Sequence, residues 1–245
     1  LGKAWNGIAS WYKPALGNLL TIPSCVALQK AAQNLKPLVP IKFCISSRPD
    51  AGVHALCNSA QVDIQKEAGK PPFPGRADQT KTSALKRILT LSFPSRILSA
   101  CQVPDDFYAC FSALSRTYIY GLVVGCSYNS QTPVFERDLC WVPRGYHLNV
   151  PAAQQAVQFL LGTPDFSTFR SICATTPPES PVKTFIHVDI RPFSMLTSLP
   201  FQGKLKPYHI KELLEASDSL AYPRNTTAPA AGLFLKSVEY DDAGK

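Results

Sequence analysis

Proline sets the tightest limit on the regular structure this chain can build. Its 245 residues include 22 prolines, about 9% against an ordinary ~5%, and each removes a backbone N–H donor and disrupts helix interiors and central strands. Long uninterrupted elements are therefore disfavoured. The periodic stretches are instead bounded by proline. Pro37 stops a helical face formed by Leu28, Ala31, Ala32 and Leu35, for which Ser24 is a suitable N-cap. Pro104 ends a β-rich run from Ile97 to Val103, and Pro151 and Pro207 open helical stretches over about 151–161 and 207–217. Gly162 closes the first of these two helices.

Short strands fill the gaps. Ile41 to Ile45 is rich in β-formers, and Ala60, Val62 and Ile64 alternate with polar residues. Phe107 to Val124 reads as two adjacent strands, Val182 to Ile190 as a half-buried strand and Gly232 to Tyr240 as a terminal one. A helix over about 78–91 buries Leu85, Ile88 and Leu89, whereas 65–77, with Pro71, Pro72, Pro74, Lys66 and Lys70, is a basic loop. Residues 1–23 and 191–206 show no period. Strand, helix and strand occur in that order in both halves. The pattern implies an α+β protein of two similar lobes, 1–103 and 104–245, with antiparallel sheets flanked by helices.

Hydrophobic residues make up 45% of the chain and charged ones 17%, enough apolar material for a core and too little charge for disorder. Lysine and arginine total 25 against 17 acids, a net charge of +8 that favours a polyanionic partner such as nucleic acid or an anionic membrane surface. No stretch approaches the ~18 apolar residues of a spanning helix. The eight cysteines contain no Cys-x-x-Cys pair and fall mainly in apolar runs, which reads as reduced core thiols in a non-secretory compartment. The chain starts at Leu1, and no targeting peptide can be read from it.

One turn has the composition of a reactive site. Arg48-Pro49-Asp50-Ala51-Gly52-Val53-His54 lies between two β-runs and sets a carboxylate beside a guanidinium. A neighbouring arginine keeps a carboxylate ionised, as a nucleophile or base must be, and Gly52 lets the backbone turn where a Cβ would clash. Asp-Ala-Gly is equally an ordinary turn.

The stretch Ser47-Arg48-Pro49-Asp50-Ala51-Gly52-Val53-His54-Ala55 resembles the signature G-R-T-D-A-G-V-H-A of the TruA family of tRNA pseudouridine synthases. Three further stretches match in order: Val103 to Ala113, Arg116-Thr117-Tyr118-Ile119-Tyr120, and Leu161 to Arg170. Ala231 to Leu235 fits the family's last strand, and Pro133 to Arg137 is similar to the animal mitochondrial branch. The resemblance implies an isomerase that needs no cofactor or metal and acts on tRNA. On the family pattern Asp50 is the nucleophile, Arg48 pairs with it and helps hold the flipped-out nucleotide, and Tyr118 stacks on the target uracil. It further implies a homodimer and a mitochondrial location. An aromatic platform suits a flipped base, since stacking is worth ~1 to 3 kcal/mol per base. Without the aspartate motif, Tyr118 and Tyr120 would read as core or sheet-surface aromatics. His54 reads as a packing residue, Asp165 with Phe166 and Phe169 as structural, and Lys66, Lys70, Lys81 and Arg76 as either a solvated face or an RNA-facing patch.

Several positions depart from the family pattern. Pro49 replaces a threonine and Cys110 an arginine. The family's first strand is represented only by Trp5-Asn6-Gly7-Ile8, and a strand and helix carrying a Val-Arg motif are missing near 191–206, where the chain passes through Pro192, Pro200 and Pro207. The expectation from these gaps is uncovered apolar surface on the neighbouring strands. A catalytically impaired or silent RNA-binding relative is therefore the alternative to an active synthase.

Overall fold

The computed structural model describes residues 4–13, 33, 39, 41, 43–47, 52–65, 96–104, 106–124, 126, 138–143, 149–169, 180–191, 207–218, 220–221 and 228–241. The helices expected at about 24–36 and 78–91, and the basic loop at 65–77, lie outside the described residues or nearly so. Six strands form one sheet: β1 (Ala4–Lys13), β2 (Phe43–Ile45), β3 (His54–Gln65), β4 (Arg96–Gln102), β5 (Ala113–Tyr120) and β6 (Leu233–Tyr240). Their order is β4-β1-β3-β6-β5, with β2 also on β3. β1 pairs antiparallel along β3 from Ala4 opposite Gln65 to Lys13 opposite Ala55. The other edge of β3 is shared, by β2 opposite Ala60 to Val62 and by β6 opposite His54 and Ala55.

The β3–β6 pair is parallel, so the sheet is mixed and the expectation of purely antiparallel sheets is corrected. Two strands far apart in sequence meet here, and such pairing leaves no turn signal to read. Residues 1–23 have no readable period, yet they supply β1, which lies between β3 and β4. β3 also begins six residues before the alternation at Ala60. His54, Asn58, Ser59 and Gln61 are buried among Ala55, Ala60 and Val62, so an inner strand clothed partly in polar side chains hides its period.

Phe107 to Val124 yields one strand. Phe107, Ala109 and Phe111 belong to a turn, where the N–H groups of Phe111 and Ser112 donate to the Tyr108 carbonyl at 3.0 and 2.8 Å and Tyr108 N–H donates to Ser112 Oγ at 3.1 Å. The stretch 182–190 is extended but joins no ladder; it meets its neighbours through the isolated bridges Gly162–Phe185 and Asp165–Val182 and through single contacts such as Gln154 Nε2 donating to the Ile190 carbonyl at 2.9 Å. Two helices match expectation closely. In α1 (Val150–Gln158) Asn149 Oδ1 caps Ala152 N–H at 3.0 Å, and Gly162 follows at φ 90. In α2 (Pro207–Ala216) Leu214 is buried.

The chain clusters into two compact units, one of Leu1–Gly121, Val134–Trp141 and Pro229–Lys245, the other of Leu122–Pro133 and Val142–Ala228. The first holds the whole sheet, so its strands come from both sides of 103/104. Within the second, Asp165 accepts Ser167 N–H at 2.7 Å and opens the 3-10 turn Ser167–Phe169. Ser167's hydrogen bonds hold this carboxyl below its ordinary range. Phe166 packs on Phe169 and Phe185, the structural role expected of this cluster.

Six cysteines are described, all free of disulfides, and only Cys140 is buried while Cys101 is exposed. Among the described thiols, then, full burial is the exception, which corrects the expectation of core thiols for these positions. Among the described residues no helix is long and apolar enough to cross a membrane.

Candidate active site

β2 and β3 deliver the two ends of the Asp50 turn to one place. At its start, Ser46 N–H donates to Ser59 O at 2.9 Å as the ladder ends. Ser46 Oγ donates to Asn58 Oδ1 at 2.8 Å, and Asn58 Nδ2 donates to the Ser47 carbonyl at 2.9 Å. Asn58 is fully buried, and a buried amide that spends its groups on backbone atoms holds them firmly, because a broken bond would leave a desolvated polar atom. At the far end Gly52 takes φ 85, a left-handed conformation costly for a residue with a Cβ. A Cβ there would also come within 3.4 Å of Ala230 Cβ. Val53 and His54 follow, both buried. His54 stacks on Phe234 with ring centroids 4.4 Å apart, and its Nε2 lies 3.0 Å from the Asp138 carbonyl. His54 is therefore the packing residue it reads as.

β5 lines the turn. Arg116 Nη2 donates to the Ser46 carbonyl at 3.0 Å and to the Cys110 carbonyl at 2.7 Å. Two residues on, Tyr118 places its hydroxyl 3.5 Å from Ser47 Oγ, longer than a good O–H···O bond. Its ring is 47% exposed. After another two residues Tyr120 donates its hydroxyl to the Pro229 carbonyl at 2.7 Å, beside the Ala230 that faces Gly52. The β5–β6 register shifts between Thr117 and Tyr118, yet Arg116 and Tyr118 both reach the start of the turn and Tyr120 reaches its flank. Tyr120 is structural and packs edge-on against Trp141, with burial pushing its phenol up.

Tyr240 closes the cluster from the last strand. Its hydroxyl donates to the Ala109 carbonyl at 2.8 Å, while Ala109 N–H donates to Gln61 Oε1 at 3.2 Å. Burial pushes the Tyr240 phenol up, against hydrogen bonds from Ser46 and Ser59 and the positive charge of Arg116. Arg116, Asn58 and Tyr240 carry the frame, yet none is singled out for it in the sequence reading. The run Arg116-Thr117-Tyr118 is the one signal that could have found Arg116. Tyr118 reaches Ser47, just before the turn. Asp50 and Arg48 lie outside the described residues, as do Lys66, Lys70, Lys81 and Arg76. Among the described residues no group of three or more His, Cys, Asp or Glu side chains is placed to hold a metal ion.

The described part of the site is thus a mixed sheet in which Ser46 and Ser47 on one side and Gly52 on the other flank residues 48–51, with the exposed Tyr118 beside Ser47. No family model matches the chain. Curated relatives do. It is 38% identical over 279 aligned positions to tRNA pseudouridine synthase-like 1 of Homo sapiens, covering 100% of this chain and 88% of the relative. The protein of that name in Xenopus laevis is 42% identical over 247 positions, 87% of this chain and 81% of the relative. tRNA pseudouridine synthase A of Sinorhizobium fredii is 32% identical over 215 positions, 80% of this chain and 81% of the relative. The chain belongs to the TruA family of tRNA pseudouridine synthases. The span aligned with the human protein, 279 positions, exceeds the 245 residues of this chain by 34, so at least that many positions of the alignment have no counterpart here.

Proposed function

We propose that this chain isomerises uridine to pseudouridine in tRNA, with Asp50 as the nucleophile, Arg48 as its ion-pair partner and Tyr118 as the platform for the flipped uracil. The reaction breaks the bond from ribose C1′ to uracil N1 and forms one to uracil C5. The C5 proton is lost and N1 gains one, so composition and oxidation state are unchanged and no redox cofactor is called for. Asp50 opens the glycosidic bond by attack on the ribose or the base, and the ring of Tyr118 offsets the stacking lost on flipping. The single observation that carries the reading is the contact between the Tyr118 and Ser47 hydroxyls, since Ser47 stands three residues before Asp50 in the family signature. The net charge of +8 supports tRNA as the partner through phosphate contacts. The resemblance to the animal branch extends the proposal to a two-lobed, homodimeric, mitochondrial enzyme, checked by light scattering and organelle fractionation.

The test uses tRNA incubated with the wild-type chain and with Asp50→Ala, followed by chemical labelling of pseudouridine. Wild type should yield product, and Asp50→Ala should retain tRNA while losing product at least about a thousandfold, the scale of removing a covalent nucleophile. Equal product from both proteins would remove Asp50 from the mechanism.

A further inference from the structure

We propose that Arg116 is a positioning residue that sets the start of the Asp50 turn in register with Tyr118; the inference rests on the functional reading above. Ser46 is where the β2–β3 ladder ends. Its N–H is spent on Ser59, and its carbonyl accepts from Arg116 instead of from a further strand. The same Nη2 atom reaches the Cys110 carbonyl, within the turn that Tyr240 ties to β6 through Ala109. One guanidinium thus staples three segments: the end of β2, the 108–112 turn and β5 itself. Guanidinium donors are directional and keep their charge at all ordinary pH.

What makes the staple functional is the spacing. Arg116 holds Ser46, and Tyr118 meets Ser47, so two residues of β5 meet consecutive residues at the start of the turn. Tyr118 has only a long hydroxyl contact there and cannot define the register alone. The arginine does so through charge-assisted bonds, which are short and strong. A misplacement of about 1 Å between reacting groups can lower a rate by roughly a hundredfold. Losing the staple should therefore slow chemistry without touching the RNA contacts.

The experiment compares wild type with Arg116→Gln and Arg116→Lys in the full chain. Thermal melts establish folding, single-turnover assays give the rate of pseudouridine formation, filter binding over a salt series gives tRNA affinity, and amide exchange follows residues 46–54 without RNA. Arg116→Gln should slow turnover roughly 10- to 100-fold, leave the tRNA Kd within about twofold and speed exchange in that segment. Arg116→Lys, which keeps the charge and can reach one carbonyl, should fall between the two. A weaker Kd with turnover preserved and a salt slope shallower by about one would make Arg116 a phosphate ligand and overturn the proposal. So would unchanged exchange at 46–54 in both variants. If the wild type makes no pseudouridine, the functional reading fails by that result alone, while exchange still decides whether Arg116 holds the turn. If Arg116→Gln does not fold, Arg116→Lys carries the same readouts.

Discussion

Tyr240 shows how much one side chain at the end of the last strand can govern. Its phenol donates to the Ala109 carbonyl, tying the turn that precedes β5 to the last strand, with the Ser46 and Ser59 side chains acting on its pKa. Burial raises its pKa above the ordinary tyrosine value, about 10. For a raised pKa the folded state holds the proton more tightly. The contribution to stability is therefore complete below pH ~10 and is lost as pH climbs through the folded value. Tyr120 titrates in the same sense, also through burial. Tyr240→Phe should cost about 1 kcal/mol at neutral pH for the lost hydrogen bond, and its stability should decline less steeply than wild type on the alkaline side. Urea unfolding at pH 8 and at pH 10.5 measures both effects. Parallel losses in the two proteins would show that the Tyr240 phenol is not under strain from burial. None of this was legible in the sequence, where Tyr240 is simply the last residue of an alternating strand.

At the scale of elements the junction between the end of β5 and the start of β6 leaves no room for a side chain. Gly121 N–H donates to Gly232 O at 2.8 Å. A Cβ on Gly232 would lie 2.8 Å from both Gly121 O and Tyr120 Cζ, closer than such atoms approach. Gly232→Ala should therefore push apart the backbone or displace the Tyr120 ring, at about 1–3 kcal/mol, lowering Tm by roughly 2–12 °C for a chain of this size. Tyr118 lies two residues from the disturbed ring, so turnover should fall along with Tm. An unchanged Tm in a calorimetric scan would mean the junction relaxes freely. Elements with clear ends were readable: α1 by Pro151 and Gly162, α2 by Pro207, and β4 and β6 by their apolar runs. Others failed for physical reasons. β3 buries His54, Asn58, Ser59 and Gln61, which breaks its alternation, and Phe107 to Phe111 alternates yet folds as a turn because Gln61 and Tyr240 take the backbone groups of Ala109. Asp50 and Arg48 stood out from the sequence only as a carboxylate beside a guanidinium in what is equally an ordinary turn, and Tyr118 was reachable only through the family signature, because a strand tyrosine carries no chemistry of its own.

The alignment with the human relative holds 279 positions against the 245 residues of this chain, and the second unit carries an exposed apolar face. Along 180–191, Val182, Phe185 and Ile186 are exposed, Ile186 to 81%, on a segment that joins no ladder. A side chain of that kind is normally covered, and covering Ile186 alone is worth about 1.5 kcal/mol. The family resemblance implies a Val-Arg strand and helix after Ile190, and we propose that part of the 34 unmatched positions in the human alignment falls there. Grafting the human relative's segment in place of 191–206 should then do two separable things. It should cover the Val182–Ile186 face, raising Tm by several degrees and reducing binding of a hydrophobic dye. It should also bring in the arginine of the Val-Arg motif that the family resemblance implies, raising single-turnover pseudouridine formation roughly tenfold or more, on the scale of one preorganised charge in an active site. Changing that arginine to glutamine in the graft should cancel the gain in rate and keep the gain in stability. A graft that leaves Tm and dye binding as they were would show that the exposed face is not where the missing element packs.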